Sequence, residues 1–160
     1  MQLDLRSTQQ QTSRPNGFIA VPLLVLAAFI AAVVLFVVLS NRKVPDGPVP
    51  VIWDKTACAY CSMHLSDPRF AAQLTTEDGS TYFYDDPGCL FLHQTSFTAL
   101  DNQIHARWFR GLHQDAWIQA PGVAFQRTDD TPMNFGFGAV ASSSPDSLSL
   151  DEATTEVLAK

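Results

Sequence analysis

No Gly-x-Ser-x-Gly elbow, phosphate-binding glycine loop, dinucleotide fingerprint or His-Glu-x-x-His helix occurs in the 160 residues. The patterns that carry hydrolase, nucleotide and metalloprotease chemistry are missing. The chain is therefore expected to be no enzyme and to take no small-molecule substrate. Positive charge is scarce as well. Beyond residue 40 there are eight Lys/Arg against fifteen Asp/Glu, a balance that argues against nucleic acid or anionic lipid as a partner of that part. Cysteine is limited to three, so in an oxidising compartment at most one disulfide forms and one thiol stays free or binds metal.

Charge is absent altogether from residues 18–39, FIAVPLLVLAAFIAAVVLFVVL. At about 1.5 Å per residue a helix of this length crosses a hydrocarbon core of about 30 Å, and Pro22 near its start is tolerable there. A cleaved signal peptide would have a shorter apolar core, of about 7–15 residues, and a small-x-small exit. This span ends in no clean Ala-x-Ala site and has no cysteine at its exit to carry a lipid. The expectation is an uncleaved single-pass anchor over 18–40 in the inner (plasma) membrane, preceded by a short cytoplasmic tail, 1–17. Arg6 and Arg14 before the span nearly balance Arg42 and Lys43 after it, so the positive-inside rule decides little. The tail is polar and too short to fold, which favours the large domain facing the periplasm or cell exterior.

A Pro/Gly-rich linker, NRKVPDGPVP, occupies 41–50 and leaves a domain over 51–160. Within it, 70–75 and 81–84 read as the strands of a hairpin turned at Glu77-Asp78-Gly79. Asp86 then caps a helix with Pro87 at its first position, running to Ala99 or Leu100. Further strands are expected at 104–110 and 116–119, with Trp108 and Trp117 as core anchors, and at 122–127 and 135–140. Asp129-Asp130-Thr131-Pro132 makes a turn. Ser149-Leu150-Asp151-Glu152 is a capping box opening a helix to Leu158. Strand–strand–helix occurring twice predicts an α+β fold of two pseudo-symmetric ββα-type units.

The densest chemistry lies in Cys58-Ala-Tyr-Cys61-Ser-Met63-His64. Thiolate and thioether sulfur are soft donors that select Cu(I) over hard cations. If this stretch is extended, Cys61 and Met63 share a face and form a two-point clip, with Cys58 or an imidazole closing the shell. Cys89 falls in the first turn of the expected helix, where exposed amides and the helix dipole favour a thiolate. His93 follows one turn later on the same face. Met133, after Thr131-Pro132, is a further soft candidate in a tight loop. Asp85 and Asp86 are most simply read as capping groups.

Taken together, these motifs resemble the NosL family, copper chaperones of nitrous oxide reductase maturation. The matching pieces are Cys58-x-x-Cys61-x-Met63, Asp67-x-Arg69-Phe70-Ala71-Ala72-Gln73, Asp78-Gly79 and Tyr82-Phe83-Tyr84-Asp85-Asp86-x-Gly88-Cys89. Trp117-Ile118-x-Ala120 and Thr131-Pro132-Met133-x-Phe135-Gly136-Phe137 follow in the family's order. The resemblance implies a NosL-like domain of two ββα-type units that holds Cu(I), with ligation centred on Cys61 and Met63. It also implies a client copper enzyme and its assembly factors as partners. Members of the family are commonly lipoproteins, whereas this chain carries an apolar helix. Two other readings of the same residues stay open. One is a thiol–disulfide protein using Cys58 and Cys61 with Cys89 resolving. The other is a structural zinc module built from the three cysteines and one histidine.

Overall fold

The computed structural model describes residues 17–40, 43–96, 103–141 and 146–160. They form an α+β protein in which an N-terminal apolar helix precedes a compact unit running from 42 to 160. Helix α1, Gly17–Ser40, is 24 residues long and contains Pro22. Its window Val21–Val38 has a mean hydropathy of 3.1 and is long and apolar enough to cross a membrane, the mark of a membrane anchor or signal sequence.

The second unit is built from two antiparallel sheets. Strands β1 (Ala72–Thr76), β2 (Thr81–Tyr84), β3 (Ile104–Arg110) and β4 (Trp117–Gln119) form the larger one, in the order β2-β1-β3-β4. Strands β5 (Ala124–Arg127), β6 (Phe137–Val140) and β7 (Leu148–Ser149) form the smaller, in the order β6-β5-β7. The β1–β2 turn is closed by Asp78, whose carboxylate accepts from the Thr76 hydroxyl at 2.6 Å and the Ser80 amide at 3.0 Å. Gly79 supplies the positive φ of 81° that the turn requires. Central strand β1 is buried at all five positions, as expected of a strand flanked on both edges and covered by a helix. The segment before it is not loose. The Gln73 side chain accepts from the Val49 amide at 2.9 Å and donates to the Val49 carbonyl at 2.7 Å, which pins residue 49 to the sheet.

Helix α2 (Pro87–Ser96) packs on β1 and β2 and touches β6 and α3 (Leu150–Leu158). Its start agrees with the sequence: Asp86 Oδ1 accepts from the Gly88 amide at 2.8 Å. The expected end near Ala99 or Leu100 lies outside the described residues. Helix α3 opens on the capping box, Ser149 and Glu152 exchanging both bonds, and buries Ala153 and Val157 one turn apart. Phe125 of β5 meets Phe91 of α2 and Phe109 of β3 edge to face in the core. Ring centroids are 5.4 Å apart for 91–125 and 5.1 Å for 109–125. This aromatic triad joins the helix to both sheets.

Of the two expected tryptophan anchors, Trp117 packs against the core and Trp108 is not among the residues that do. Trp108 and Trp117 are half-buried, while Phe109 and its cross-strand partner Ile118 take the core face. Successive residues of a strand point to opposite sides, so seating Phe109 inward turns Trp108 away. Trp117 also lies under the Arg110 guanidinium, 5.6 Å from the ring centroid.

Candidate metal centre

Three pieces of chain converge where β2 passes into α2. The first is the 57–64 segment, which is a tight hairpin, so the extended condition for a Cys61–Met63 clip is not met. Ala57 and His64 bridge at its base, the Cys58 amide donates to the Met63 carbonyl at 2.7 Å and the Ser62 amide to the Cys58 carbonyl at 3.0 Å. Ser62 adopts a left-handed φ of 66°. That kink between residues 61 and 63 removes the strand alternation on which a shared face for Cys61 and Met63 depended. The Ala59 amide donates to the Phe83 carbonyl at 2.8 Å, docking the hairpin onto β2. The second piece is Asp85, immediately after β2, and the third is Cys89 in the first turn of α2.

Sulfurs of Cys58, Cys61 and Cys89 and a carboxylate oxygen of Asp85 all lie within 4.8 Å of one another. All three cysteines are free thiols. Cys58, Asp85 and Cys89 are buried and Cys61 is half-buried. Asp85 Oδ1 faces the Cys61 thiol at 3.4 Å, whereas its Oδ2 is buried with no hydrogen-bond partner. An orphaned buried carboxylate oxygen is costly; beside three sulfurs it is what a cation would satisfy. A tetrahedral ion with bonds of about 2.3 Å to sulfur spaces its ligand atoms about 3.8 Å apart. A small contraction of this group therefore accommodates one ion.

The thiols are electrostatically unequal. Cys58 is lowered from its ordinary 9.0 to about 6, chiefly because the Cys89 thiol donates to it, with further support from the Cys61 and Asp85 amides. Cys61 is raised to about 11 by desolvation, and Cys89 is raised further because its proton is shared with Cys58. This reverses the sequence expectation for Cys89. Its place in the first helical turn does not make it the thiolate, because the hydrogen bond it donates gives that role to Cys58.

A pH dependence follows for the metal-free, reduced protein. The stability contributed by Cys58, depressed to about 6, is full above about pH 9 and lost as pH falls through 6. The contribution of Cys61, raised to about 11, is full below about pH 9 and lost as pH rises through 11. Relative to a variant with all three cysteines changed to serine, Tm is expected to climb from pH 6 to 9 and decline beyond. Parallel Tm profiles of the two proteins would contradict this protonation order.

The other candidates are placed as follows. Met63 is 52% exposed at the end of the hairpin. Met133 is half-buried against the core, its amide donating to Asp86 Oδ2 at 3.2 Å. His93 is buried, its Nδ1 2.7 Å from the Tyr84 hydroxyl and its ring against Tyr60, Tyr82 and Tyr84. His64 is exposed at the base of the hairpin. Asp85 is the residue that sequence reasoning missed. The pair Asp85-Asp86 held one signal: a single carboxylate suffices for a cap, and Asp86 is the one that caps, leaving Asp85 for another task. No protein-family model, curated protein or solved structure matches the chain.

Proposed function

We propose that this chain is a membrane-anchored Cu(I) carrier of the NosL type. It holds one ion at Cys58, Cys61 and Cys89 on the outer side of the plasma membrane and delivers it, through assembly factors, to a copper enzyme. The observation that carries the reading is the convergence of three free thiols within 4.8 Å. Sulfur-rich donor sets of this kind favour Cu(I) and other thiophilic ions. The order hairpin then helix in β1–β2–α2 supports the first ββα-type unit of the resemblance; in the second half β3 and β4 extend the first sheet and three strands, β5, β6 and β7, precede α3. The apolar helix α1 supports an anchor. Delivery needs no chemistry at the protein: an acceptor's sulfur or imidazole replaces the carrier's ligands one at a time.

Asp85 favours a second reading, a zinc site. Three thiolates and a carboxylate complete a tetrahedral shell for Zn(II), with Asp85 in the place for which the sequence offered a histidine. The two readings part at Asp85→Asn. Cu(I) has little use for a hard oxygen donor, so its affinity should stay within about threefold in this variant. Zn(II), losing a ligand, should weaken by more than about tenfold, since even outer-shell partners are worth that much. Chelator competition on anaerobically purified full-length protein in detergent measures both. A wild-type chain that retains Zn(II) but yields all its Cu(I) would replace the carrier with the structural site.

A further inference from the structure

Cys58 and Cys61 share a single turn. The Ser62 amide closes it on the Cys58 carbonyl at 3.0 Å, and the Cys61 amide donates to the Cys58 sulfur. Tight turns bring Cα atoms three residues apart to within about 7 Å, the separation a disulfide spans. The two sulfurs already lie within 4.8 Å of each other, leaving side-chain rotation to close the gap to a bond of about 2.05 Å. Cys89 belongs instead to α2, whose start is held by the Asp86 cap, and it is 0% exposed. Cys61 is the one thiol not buried, with Tyr60 and Met63 exposed on either side of it in the chain. An external disulfide or thiol therefore meets this centre at Cys61.

We propose that Cys58 and Cys61 form a redox latch on the metal centre: joined as a disulfide they shut it, and a dithiol protein reopens it at Cys61 before metal is loaded. The latch rests on the Cu(I) reading given above, which puts these thiols in an oxidising compartment. Closure is an exchange with a disulfide oxidant. Cys61 Sγ gives up its proton and attacks one sulfur of the oxidant, whose S–S bond breaks and whose first half leaves as a thiol. Cys58 Sγ then gives up its proton and attacks Cys61 Sγ, so the mixed disulfide breaks and the second half leaves as a thiol. The chain loses two electrons and two protons, and the oxidant gains both. Reopening reverses this: one sulfur of the dithiol attacks Cys61 Sγ and frees Cys58, and its second sulfur frees Cys61 as the dithiol becomes a disulfide. Closed, the centre keeps one thiol, Cys89, and the Asp85 carboxylate, too few soft donors to hold Cu(I). Loaded, its sulfurs are committed to the ion, so metal blocks oxidation as oxidation blocks metal. A disulfide with an accessible sulfur is of the labile, regulatory kind.

The test uses the full chain in detergent, purified anaerobically and reduced, with glutathione disulfide as oxidant and dithiothreitol as dithiol. After oxidation, alkylation under denaturing conditions and peptide mass spectrometry should find Cys58 joined to Cys61 and Cys89 alkylated. Cu(I) affinity, measured against a chromogenic chelator, should fall by more than about tenfold, since two ligands are lost where even outer-shell partners are worth that much. Dithiothreitol should restore it. Protein held with free Cu(I) at about ten times its Kd should close about tenfold more slowly, because the metal-free share has fallen by that factor. A disulfide that includes Cys89, three thiols surviving excess oxidant, an oxidised chain that binds Cu(I) as before, or a closing rate indifferent to copper would each overturn the latch and leave the carrier reading standing. A reduced wild-type chain that takes no Cu(I) from the chelator would instead bring down the Cu(I) reading itself, and the latch with it.

Discussion

Cys89→Ser is expected to weaken Cu(I) binding by more than about 100-fold, beyond the upper end of what outer-shell partners contribute. Cys89 is fully buried and its thiol donates to Cys58, so in the metal-free state it looks like a packing residue. On the proposed Cu(I) reading, copper displaces its proton and Cys89 becomes a third sulfur on the ion. Serine keeps nearly the same volume and a hydroxyl that can still donate to the Cys58 thiolate. The metal-free fold should therefore survive, with Tm within a few degrees of wild type. A serine oxygen is a hard, protonated donor and does not replace thiolate on Cu(I). Chelator competition beside a circular-dichroism melt separates the two effects. A loss of affinity below about threefold in a folded variant would remove Cys89 from the ligand set and restrict the site to the hairpin. Cys61→Ser should be at least as damaging, because it removes both a ligand and the one thiol not buried.

Gly88→Ala should be the most damaging single methyl added near the site. A Cβ at residue 88 would stand 2.2 Å from Phe135 Cγ and 2.7 Å from Phe135 Cβ, far inside van der Waals contact. Phe135 cannot simply swing aside, because its loop is held to the same helix start. The Met133 amide donates to Asp86, the Thr131 hydroxyl bonds Asp86 as well, and the Gly136 amide donates to Thr131 at 3.1 Å. Overpacking of this kind costs about 1–3 kcal/mol, which for a domain of this size lowers Tm by roughly 4–20 °C. Because residue 88 adjoins Cys89, copper affinity should fall with it. Phe135→Ala removes the ring contact at 2.2 Å and leaves the one to Cβ at 2.7 Å, so part of the clash is relieved and the double variant should be destabilised by less than the sum of the two single changes. Strict additivity in that cycle would show that the loop is not packed on Gly88 as described.

The elements that local chemistry dictates were legible in the sequence. The Glu77-Asp78-Gly79 turn, the Asp86 cap with Pro87, and the Ser149–Glu152 capping box each depend on neighbours within four residues, and each stands where expected. The strand expected from residue 70, however, begins at Ala72, because Pro68–Phe70 form a 3-10 turn capped by Asp67. The candidate site was legible only in its inventory. Cys58, Cys61 and Cys89 were singled out, but what joins them is the docking of Ala59 onto Phe83, a contact between residues 24 apart in the chain. The same long-range contact brings Asp85 against Cys61, and no local pattern announces it. The shape of the 57–64 hairpin was missed because a left-handed serine carries no propensity signal of its own; it follows from the bonds that close the turn. The helix dipole that favours a thiolate at Cys89 is a modest effect, and the hydrogen bond to Cys58 outweighs it.

Copper K-edge X-ray absorption on the anaerobic, Cu(I)-loaded full-length protein tests the central claim most directly. The account predicts one copper per chain surrounded by sulfur from Cys58, Cys61 and Cys89, with the sulfur count reduced by one in Cys89→Ser. A spectrum dominated by nitrogen or oxygen neighbours, or one unchanged by Cys89→Ser, would contradict it.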